Sequence, residues 1–286
     1  MLVAVKPKSK NGLRIVSLAP SATSILHAVG ARRTLVGVTK WCADVADASG
    51  LPRVGDCWHM GSVDEILRLH PSLVIGSVPY KTETVAKLLE HPVNFLATNP
   101  RTLADVYRDI RMLAGLVNRA PTGERLIAQM QKQFVSLALQ AERAIRASGS
   151  RKPVRIYCEA WPNPRISSPP WVAELAQFCG AEMVVPAGQR VRDDDVAAAA
   201  PDVIVLAWAA TGTKAKIQRA YDVPSWKNVP AVRNRHVFVI ADELLNTPGP
   251  PLVAGAKQLS KIVRAVLAGK TRSTGASAKS LCRSHL

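Results

Sequence analysis

The chain has 286 residues and a hydrophobic fraction of 48%, which predicts a buried core in one large domain or two lobes. Its 38 Lys and Arg residues exceed its 21 Asp and Glu residues, a formal net charge of +17 that would suit anionic partners. No long basic run or nucleic-acid motif accompanies this charge, so nucleic acid is not the expected partner. We find no apolar stretch of signal or membrane-spanning length, which predicts a cytoplasmic location if the N-terminus is genuine.

The strand and helix patterns alternate through the first half of the chain. Predicted strands cover 14–19, 35–39, 72–77 and 93–98, and predicted helices cover 21–30, with a Ser cap, 62–70 and 81–91. Because such alternation is typical of βαβ units, we expect a parallel sheet. This first lobe ends near residue 118.

A single long helix is predicted between the halves, over 122–147. Apolar residues recur there at steps of three and four, and neither glycine nor proline interrupts residues 124–147. The second half then repeats the alternation, with strands at 154–160, 202–208 and 236–241 and helices at 169–180, 193–200 and 251–268. The expected architecture is α/β, with two Rossmann-like lobes that have parallel central sheets and are joined by one long backbone helix.

The predicted boundaries follow from this order. They are an N-terminal extension (1–12), an N-terminal lobe (13–118), the backbone helix (119–149), a C-terminal lobe (150–268) and a disordered basic tail (269–286).

Two segments of the chain resemble each other. "DEILRLHPSLVI", from Asp64, matches "DDVAAAAPDVIV", from Asp194, with acid, apolar helix, proline and buried strand in the same order and spacing. Internal duplication explains the match, and so does the general preference of helices for acidic first turns and following prolines. Duplication is the favoured interpretation because all the positions agree together.

Catalytic and metal-binding patterns are missing from the sequence. The five cysteines form no Cys-x-x-Cys pair, which argues against a structural metal and a disulfide framework but leaves a Cys42–Cys57 bridge open. No nucleotide-binding glycine motif, nucleophile elbow or zinc-protease motif is present. An enzyme hypothesis depends on His59, in a loop, or Glu159, at a strand end, as acid or base.

Aromatic residues, in contrast, concentrate where predicted strands end. Four tryptophans and a tyrosine lie there or in the following loops, the edge at which open parallel sheets bind ligands: Trp41, Trp58, Tyr80, Trp161 and Trp208. Core packing is the alternative for each tryptophan, and it is the favoured role of Trp171, on an apolar helix face. The loop tryptophans predict a flat apolar ligand, and Arg165 and Arg190 add cations for its polar groups.

Several stretches together resemble the helical-backbone periplasmic binding proteins that serve ABC importers. They run in family order from about Leu13 to Ala268: "RIVSLAPSATSIL", "LVGVTKWCAD", "LPRVGD", "DEILRLHPSLVIGS", "PDVIVLAW", "SWKNVPAVRNRHVFVI" and "PGPPLVAGAKQL". "CEAWPNPRISSPPWVAEL" is most similar to the cobalamin-binding branch. The sequence departs from the family pattern at Ser24, Ser72 and Pro251, where Glu, Asp and Arg are usual.

The resemblance implies a monomeric, non-enzymatic solute-binding protein, periplasmic in location, that holds a cobalamin-type corrinoid between its lobes and needs no cofactor of its own. It places Pro20, Trp41, Trp58 and the 157–166 loop with Trp161 in ligand-contacting segments. It also implies that Asp64 and Asp194 dock onto the permease of an ABC transporter. A ferric-siderophore or haem binder is the alternative within the family, and an enzyme acting on a flat tetrapyrrole-like ligand is the alternative outside it.

Overall fold

The structure is a computed structural model that describes residues 12–59, 62–150 and 152–269. The predicted tail beyond Gly269 and nearly all of the N-terminal extension lie outside the described residues. The chain divides into two compact units. Unit 1 comprises Met1–Asn99 and Arg108–Glu124, and unit 2 comprises Pro100–Tyr107 and Arg125–Leu286.

Unit 1 contains a four-stranded parallel sheet in the described residues. Its strands are β1 (Ile15–Ser17), β2 (Leu35–Val38), β3 (Leu73–Ser77) and β4 (Phe95–Thr98), in the spatial order β2-β1-β3-β4. The helices that follow these strands are α1 (Pro20–Ala28), α2 (Val63–Leu67), α3 (Thr82–Leu89) and α4 (Leu103–Leu116). The predicted parallel sheet is therefore confirmed, whereas α4 is a helix that the sequence patterns did not predict.

The start of α1 corrects the sequence prediction of a serine cap. The helix begins at Pro20, and its N-cap is Ala19, which makes no side-chain capping bond. Proline suits the first helical position because its fixed φ is helical and an N–H at that position would have no partner within the helix.

The predicted long helix is α5 (Ala120–Ser148), which has 29 residues. Its apolar stripe is buried, and within unit 2 the ring of Phe134 stacks on that of Phe178 with the ring centroids 5.6 Å apart. Gly180 lies against this stripe with φ of +77°, and a Cβ there would be 3.0 Å from the Cβ of Ala141. The glycine therefore allows both the left-handed turn and the close approach of the chain to α5.

Unit 2 is built around a second sheet. Its strands are β5 (Val154–Pro162), β6 (Arg165–Ser167), β7 (Ala181–Met183), β8 (Val203–Leu206) and β9 (Val237–Val239). Strand β5 pairs in parallel with β7 and β8, and β9 pairs in parallel with β8. Strand β6 is antiparallel to β5 and forms a hairpin with its end. The remaining helices are α6 (Pro170–Phe178), α7 (Asp193–Ala199), α8 (Gln218–Tyr221), α9 (Pro230–Arg233), α10 (Asp242–Leu245) and α11 (Leu252–Leu267).

The two sheets have the same parallel order, because β7-β5-β8-β9 in unit 2 repeats β2-β1-β3-β4 in unit 1. The helices α2 and α7 precede equivalent strands, and each is followed by a residue in the left-handed conformation, His70 with φ of 46° and Ala200 with φ of 43°. Proline comes next in both units. This agreement in the fold supports duplication over coincidental similarity.

The described cysteines and helices settle two further points. Cys42 and Cys57 are free and buried, so no bridge joins them. Among the described residues, no helix combines the length and the apolar character needed to cross a bilayer.

Candidate ligand-binding surfaces

Pro20, Trp41 and Tyr80 follow the carboxyl ends of three neighbouring parallel strands in unit 1. Pro20 comes after β1, Trp41 after β2 and Tyr80 after β3. Because the carboxyl ends of parallel strands share one edge of the sheet, these residues lie along the edge at which such sheets bind ligands. All three side chains are partly buried.

Asp56 connects Trp41 to the loop that carries Trp58. One carboxylate oxygen of Asp56 accepts a hydrogen bond from the indole Nε1 of Trp41 at 3.3 Å. The other accepts from the backbone N–H groups of Trp58 and His59, at 2.9 and 2.6 Å. The loop is therefore held in a defined conformation although the Trp58 side chain is 44% exposed. The sequence analysis did not single out Asp56, whose signal was its place in the family-like stretch "LPRVGD".

The loop with Trp58 is seated on β3 through Cys57. The Cys57 carbonyl accepts a hydrogen bond from the N–H of Lys81 at 3.0 Å, and its side chain is buried. A Cβ on Gly76 would lie 2.6 Å from the Cys57 sulfur and 2.9 Å from the Phe95 ring. Gly76 thus leaves the space in which the loop rests. Burial also raises the pKa of the Cys57 thiol to about 11.

A lysine ammonium lies over the ring of each tryptophan at the carboxyl edge of the unit 1 sheet, Trp41 and Trp58. The ammonium of Lys40 lies 4.4 Å from the ring centroid of Trp41, and that of Lys81 lies 5.1 Å from the ring centroid of Trp58. Both distances are within the range of cation–π attraction. Neither lysine was among the predicted site residues, although each is adjacent in sequence to a predicted site aromatic.

In unit 2, Glu159 organises a buried polar network. Its side chain is 0% exposed and accepts three hydrogen bonds: 2.7 Å from the Tyr157 hydroxyl, 2.7 Å from the Trp208 indole and 2.8 Å from the Arg165 guanidinium. Burial, and then the negative charge of Glu159, raise the pKa of Tyr157, which keeps its hydroxyl protonated as a donor. Glu159 therefore binds its three donors inside unit 2.

Arg165 extends this network to the start of α7. Its Nε donates to a carboxylate oxygen of Asp193, and its guanidinium carbon lies 4.4 Å from the ring centroid of Trp226. Burial opposes the charged form of Arg165, but the attraction of Glu159 and Asp193 is larger, so the pKa of Arg165 is raised. Arg165 therefore remains a cation whose donors already face two carboxylates.

The predicted site residues of unit 2 consequently occupy different environments. Trp208 is 5% exposed in the core, which leaves almost none of its ring accessible, and Arg165 is an internal ion-pair partner. Trp161, in contrast, is 42% exposed beside the β5–β6 turn, and its indole donates to the Asn163 carbonyl at 2.9 Å. Arg190 is exposed, and its backbone bridges that of Ile166 in β6.

The two predicted docking acids have equivalent local positions. Asp64 is the second residue of α2 and Asp194 is the second residue of α7, and both side chains are exposed. Each is followed by another acid in the first turn, where carboxylates are favoured by the helix dipole.

The described residues contain no cluster of three or more His, Cys, Asp and Glu side chains suited to a metal ion. Glu159 and His59 were the two candidates for a catalytic acid or base. Glu159 is enclosed by three donors, and its role is to order the end of its strand. Both units thus combine a mainly parallel sheet with aromatic residues after strand ends, an architecture in which ligands bind at the carboxyl edge of the sheet.

Comparison with known proteins identifies the family. The sequence profile of the family described as "Periplasmic binding protein" matches residues 15–244. An uncharacterized ABC transporter substrate-binding lipoprotein of Bacillus subtilis is 24% identical over 272 residues, covering 91% of this chain and 82% of its own. A vitamin B12-binding protein of Pectobacterium atrosepticum is 25% identical over 260 residues, covering 86% of each chain.

The fold agrees with a solved structure as well. A periplasmic haem-binding protein from Roseiflexus sp. RS-1 superposes with a TM-score of 0.74 at 22% identity, covering 90% of this chain and 100% of its own. The chain belongs to the periplasmic binding protein family. The family consists of solute-binding proteins and not of enzymes, which excludes the enzyme alternative for this chain.

Proposed function

We propose that this protein binds a cobalamin-type corrinoid and delivers it to an ABC importer. The observation that carries the proposal is the pair of exposed tryptophans, Trp58 and Trp161, each beside the carboxyl edge of its own sheet. The backbone N–H of Trp58 donates to Asp56, and the indole of Trp161 donates to the Asn163 carbonyl. Exposed ring faces on ordered segments are what a large, flat and mostly apolar ligand requires. Trp41, Tyr80 and Pro20 along the edge of unit 1 would extend the contact.

The vitamin B12-binding relative supports this choice of ligand, because its similarity extends over 86% of both chains. The haem-binding neighbour supports the alternative ligand less directly, since at 22% identity the likeness concerns the fold. The positive charge of Arg165 was one reason to consider a siderophore or haem ligand. The donors of Arg165 are directed at Glu159 and Asp193, so of the two arginines behind that alternative, Arg190 is the exposed one.

In this proposal, residues 13–118 and 150–268 act as the two ligand-binding lobes, and 119–149 acts as the backbone helix. The protein would work in the periplasm, where Asp64 and Asp194 would contact the permease. The substrate-binding lipoprotein of Bacillus subtilis, which is named as an ABC transporter component, supports this assignment. We propose a monomer, because one ligand site formed by a single chain needs no partner copy.

Titration with cyanocobalamin tests the proposal. We expect quenching of tryptophan fluorescence and retention of the corrinoid colour after desalting. Trp58→Ala and Trp161→Ala should each weaken binding by about tenfold, the loss expected for one stacked aromatic contact of about 1.4 kcal/mol.

Leu139→Ala is the matched control, because Leu139 is an apolar side chain on α5 that is 50% exposed and lies away from both sheet edges in sequence. It should leave the affinity unchanged. Absence of both quenching and retained colour would refute corrinoid binding, and haem titrated in parallel would then decide on the alternative.

A further inference from the structure

We infer that Lys40 and Lys81, here called the lysine pair, bind an anionic substituent at the periphery of the flat ligand. This inference rests on the proposed function, and it assigns a charge requirement to the unit 1 edge. The substituent would be a phosphate or a carboxylate, since these are the anionic groups that lysine ammonium ions recognise.

The location of the lysine pair is the first argument. Lys40 follows β2 and Lys81 lies at the N-cap of α3, after β3. In the sheet order β2-β1-β3-β4, these two strands flank β1. The lysines therefore stand on either side of the carboxyl end of β1, where Pro20 opens α1.

The lysine pair is also available to an anionic partner. Both side chains are exposed, and within the described part of the chain neither ammonium is paired with a carboxylate; each instead lies over an indole. Three acids lie between β2 and α2. The oxygens of Asp56 already accept from Trp41, Trp58 and His59, and Asp47 is paired with Arg32. Asp44 is exposed, and within the described residues it makes no ion pair with Lys40. Cation–π contacts at exposed sites are weak, so an anion can replace the ring as the partner of either ammonium.

The dipole of α1 also favours an anion at this position. The first turn of α1 contains no acidic residue, and its N-cap makes no side-chain bond. The positive end of the α1 dipole thus adds to the charge of the lysine pair at the end of β1. An uncharged ligand would gain nothing from this arrangement, whereas an anionic group placed there would meet two cations and a helix N-terminus together.

Substitution to methionine tests the inference, because methionine retains an unbranched apolar side chain and removes the charge. We would measure the affinities of the full chain, Lys40→Met, Lys81→Met and the double variant for cyanocobalamin and for cobinamide, which lacks the phosphate-bearing nucleotide loop. A second arm uses iron protoporphyrin and its dimethyl ester, in which the carboxylates are blocked. Lys87→Met, an exposed lysine on the same helix as Lys81, is the control.

We expect the unaltered protein to prefer the anionic member of one ligand pair by about tenfold, and the double variant to lose that preference. Lys87→Met should keep it, and raised salt should reduce it. The arm that shows the preference identifies phosphate or carboxylate as the recognised group.

Equal affinity of the unaltered protein for both members of each pair would overturn the inference and leave corrinoid binding intact. A preference that persists in the double variant would overturn it as well. If the unaltered protein binds neither corrinoid nor porphyrin, the proposed function fails, and the inference fails with it. Thermal unfolding of each variant shows that a lost preference does not come from a lost fold.

Discussion

Arg14 and Arg155 make an equivalent guanidinium bond at the starts of their two sheets. The guanidinium of Arg14 donates to the Leu69 carbonyl at 2.6 Å, and that of Arg155 donates to the Ala199 carbonyl at 2.5 Å. Both carbonyls belong to the residue that precedes the left-handed one. Each arginine therefore ties the end of its helix, α2 or α7, to the first strand of the unit, a correspondence that extends the duplication from backbone order to individual side chains.

The residue after the proline completes this arrangement and differs between the units. The N–H of Arg14 donates to the Ser72 hydroxyl at 3.2 Å, whereas that of Arg155 donates to the Asp202 carboxylate at 3.0 Å. Since bonds to ionised acceptors are stronger, Ser72→Asp should stabilise the fold by up to about 1 kcal/mol. Urea unfolding measures the effect. Asp202→Ser should be destabilising, and a stabilising effect there would contradict the explanation.

Glu159→Gln should destabilise unit 2 strongly. Either orientation of the glutamine amide directs its NH2 group at a donor, and Arg165 loses its buried partner. Removing one member of a buried ion pair typically costs about 3–5 kcal/mol. We expect a correspondingly lower urea midpoint, and we expect Arg165→Met added to Glu159→Gln to cost less than the two single changes summed.

The exposed pair Arg111–Glu124 provides the control for this prediction. Its atoms approach to 2.7 Å, but both side chains are more than half exposed. Glu124→Gln should leave the midpoint nearly unchanged, because water and salt screen such pairs. A loss as large as that of Glu159→Gln would show that burial is not the cause.

Gly76→Ala should displace the loop that carries Trp58. The added methyl would overlap the Cys57 sulfur and the Phe95 ring, and overpacking of this kind typically costs about 1–3 kcal/mol. We expect weaker corrinoid binding together with lower stability, measured by titration and urea unfolding. Gly115→Ala in α4 is the control, since nothing lies within 4 Å of its added Cβ. It should be neutral or stabilising, because alanine favours helix.

Buried thiols should make the protein less stable in alkaline solution. Burial raises the pKa of Cys179 from 9.0 to about 12, so the folded state keeps a proton that the unfolded state releases. The contribution of this thiol is complete below about pH 9 and is lost as the pH rises toward about 12. Between about pH 8.5 and 10.5, the stability of Cys179→Ala should fall less than that of the unaltered protein, by about 2 kcal/mol. Equal slopes under reducing conditions would contradict this assignment.

Asp64→Ala and Asp194→Ala should separate transport from binding. Both acids are exposed at helix N-termini and are not among the residues proposed to bind the ligand, so corrinoid affinity should be retained. Corrinoid uptake by cells that carry the double variant should fall, because the permease would lose two charged contacts. Glu65→Ala, a change of the neighbouring exposed acid, is the control. Normal uptake with the double variant would refute the docking role.

The amino-acid sequence by itself determined the α/β class, the long helix and the approximate limits of most elements. Periodic apolar residues, prolines and glycines carry this information locally, and the prediction therefore succeeded for strands such as β8 and helices such as α5. The repeated segments beginning at Asp64 and Asp194 were also visible, because duplication preserves the spacing of local signals.

Only the tertiary structure decided which polar and aromatic side chains meet. Trp161 and Trp208 both lie at or near strand ends, yet one is exposed and the other is buried against Glu159. Arg165 could not be distinguished from a ligand-binding cation until Glu159 and Asp193 were found beside it. Glu159 meets Arg165 across the β5–β6 hairpin, whereas Asp193 and Trp208 come from positions 28 and 49 residues away from their partners. No local pattern records these pairs, because burial and pairing depend on how the elements pack.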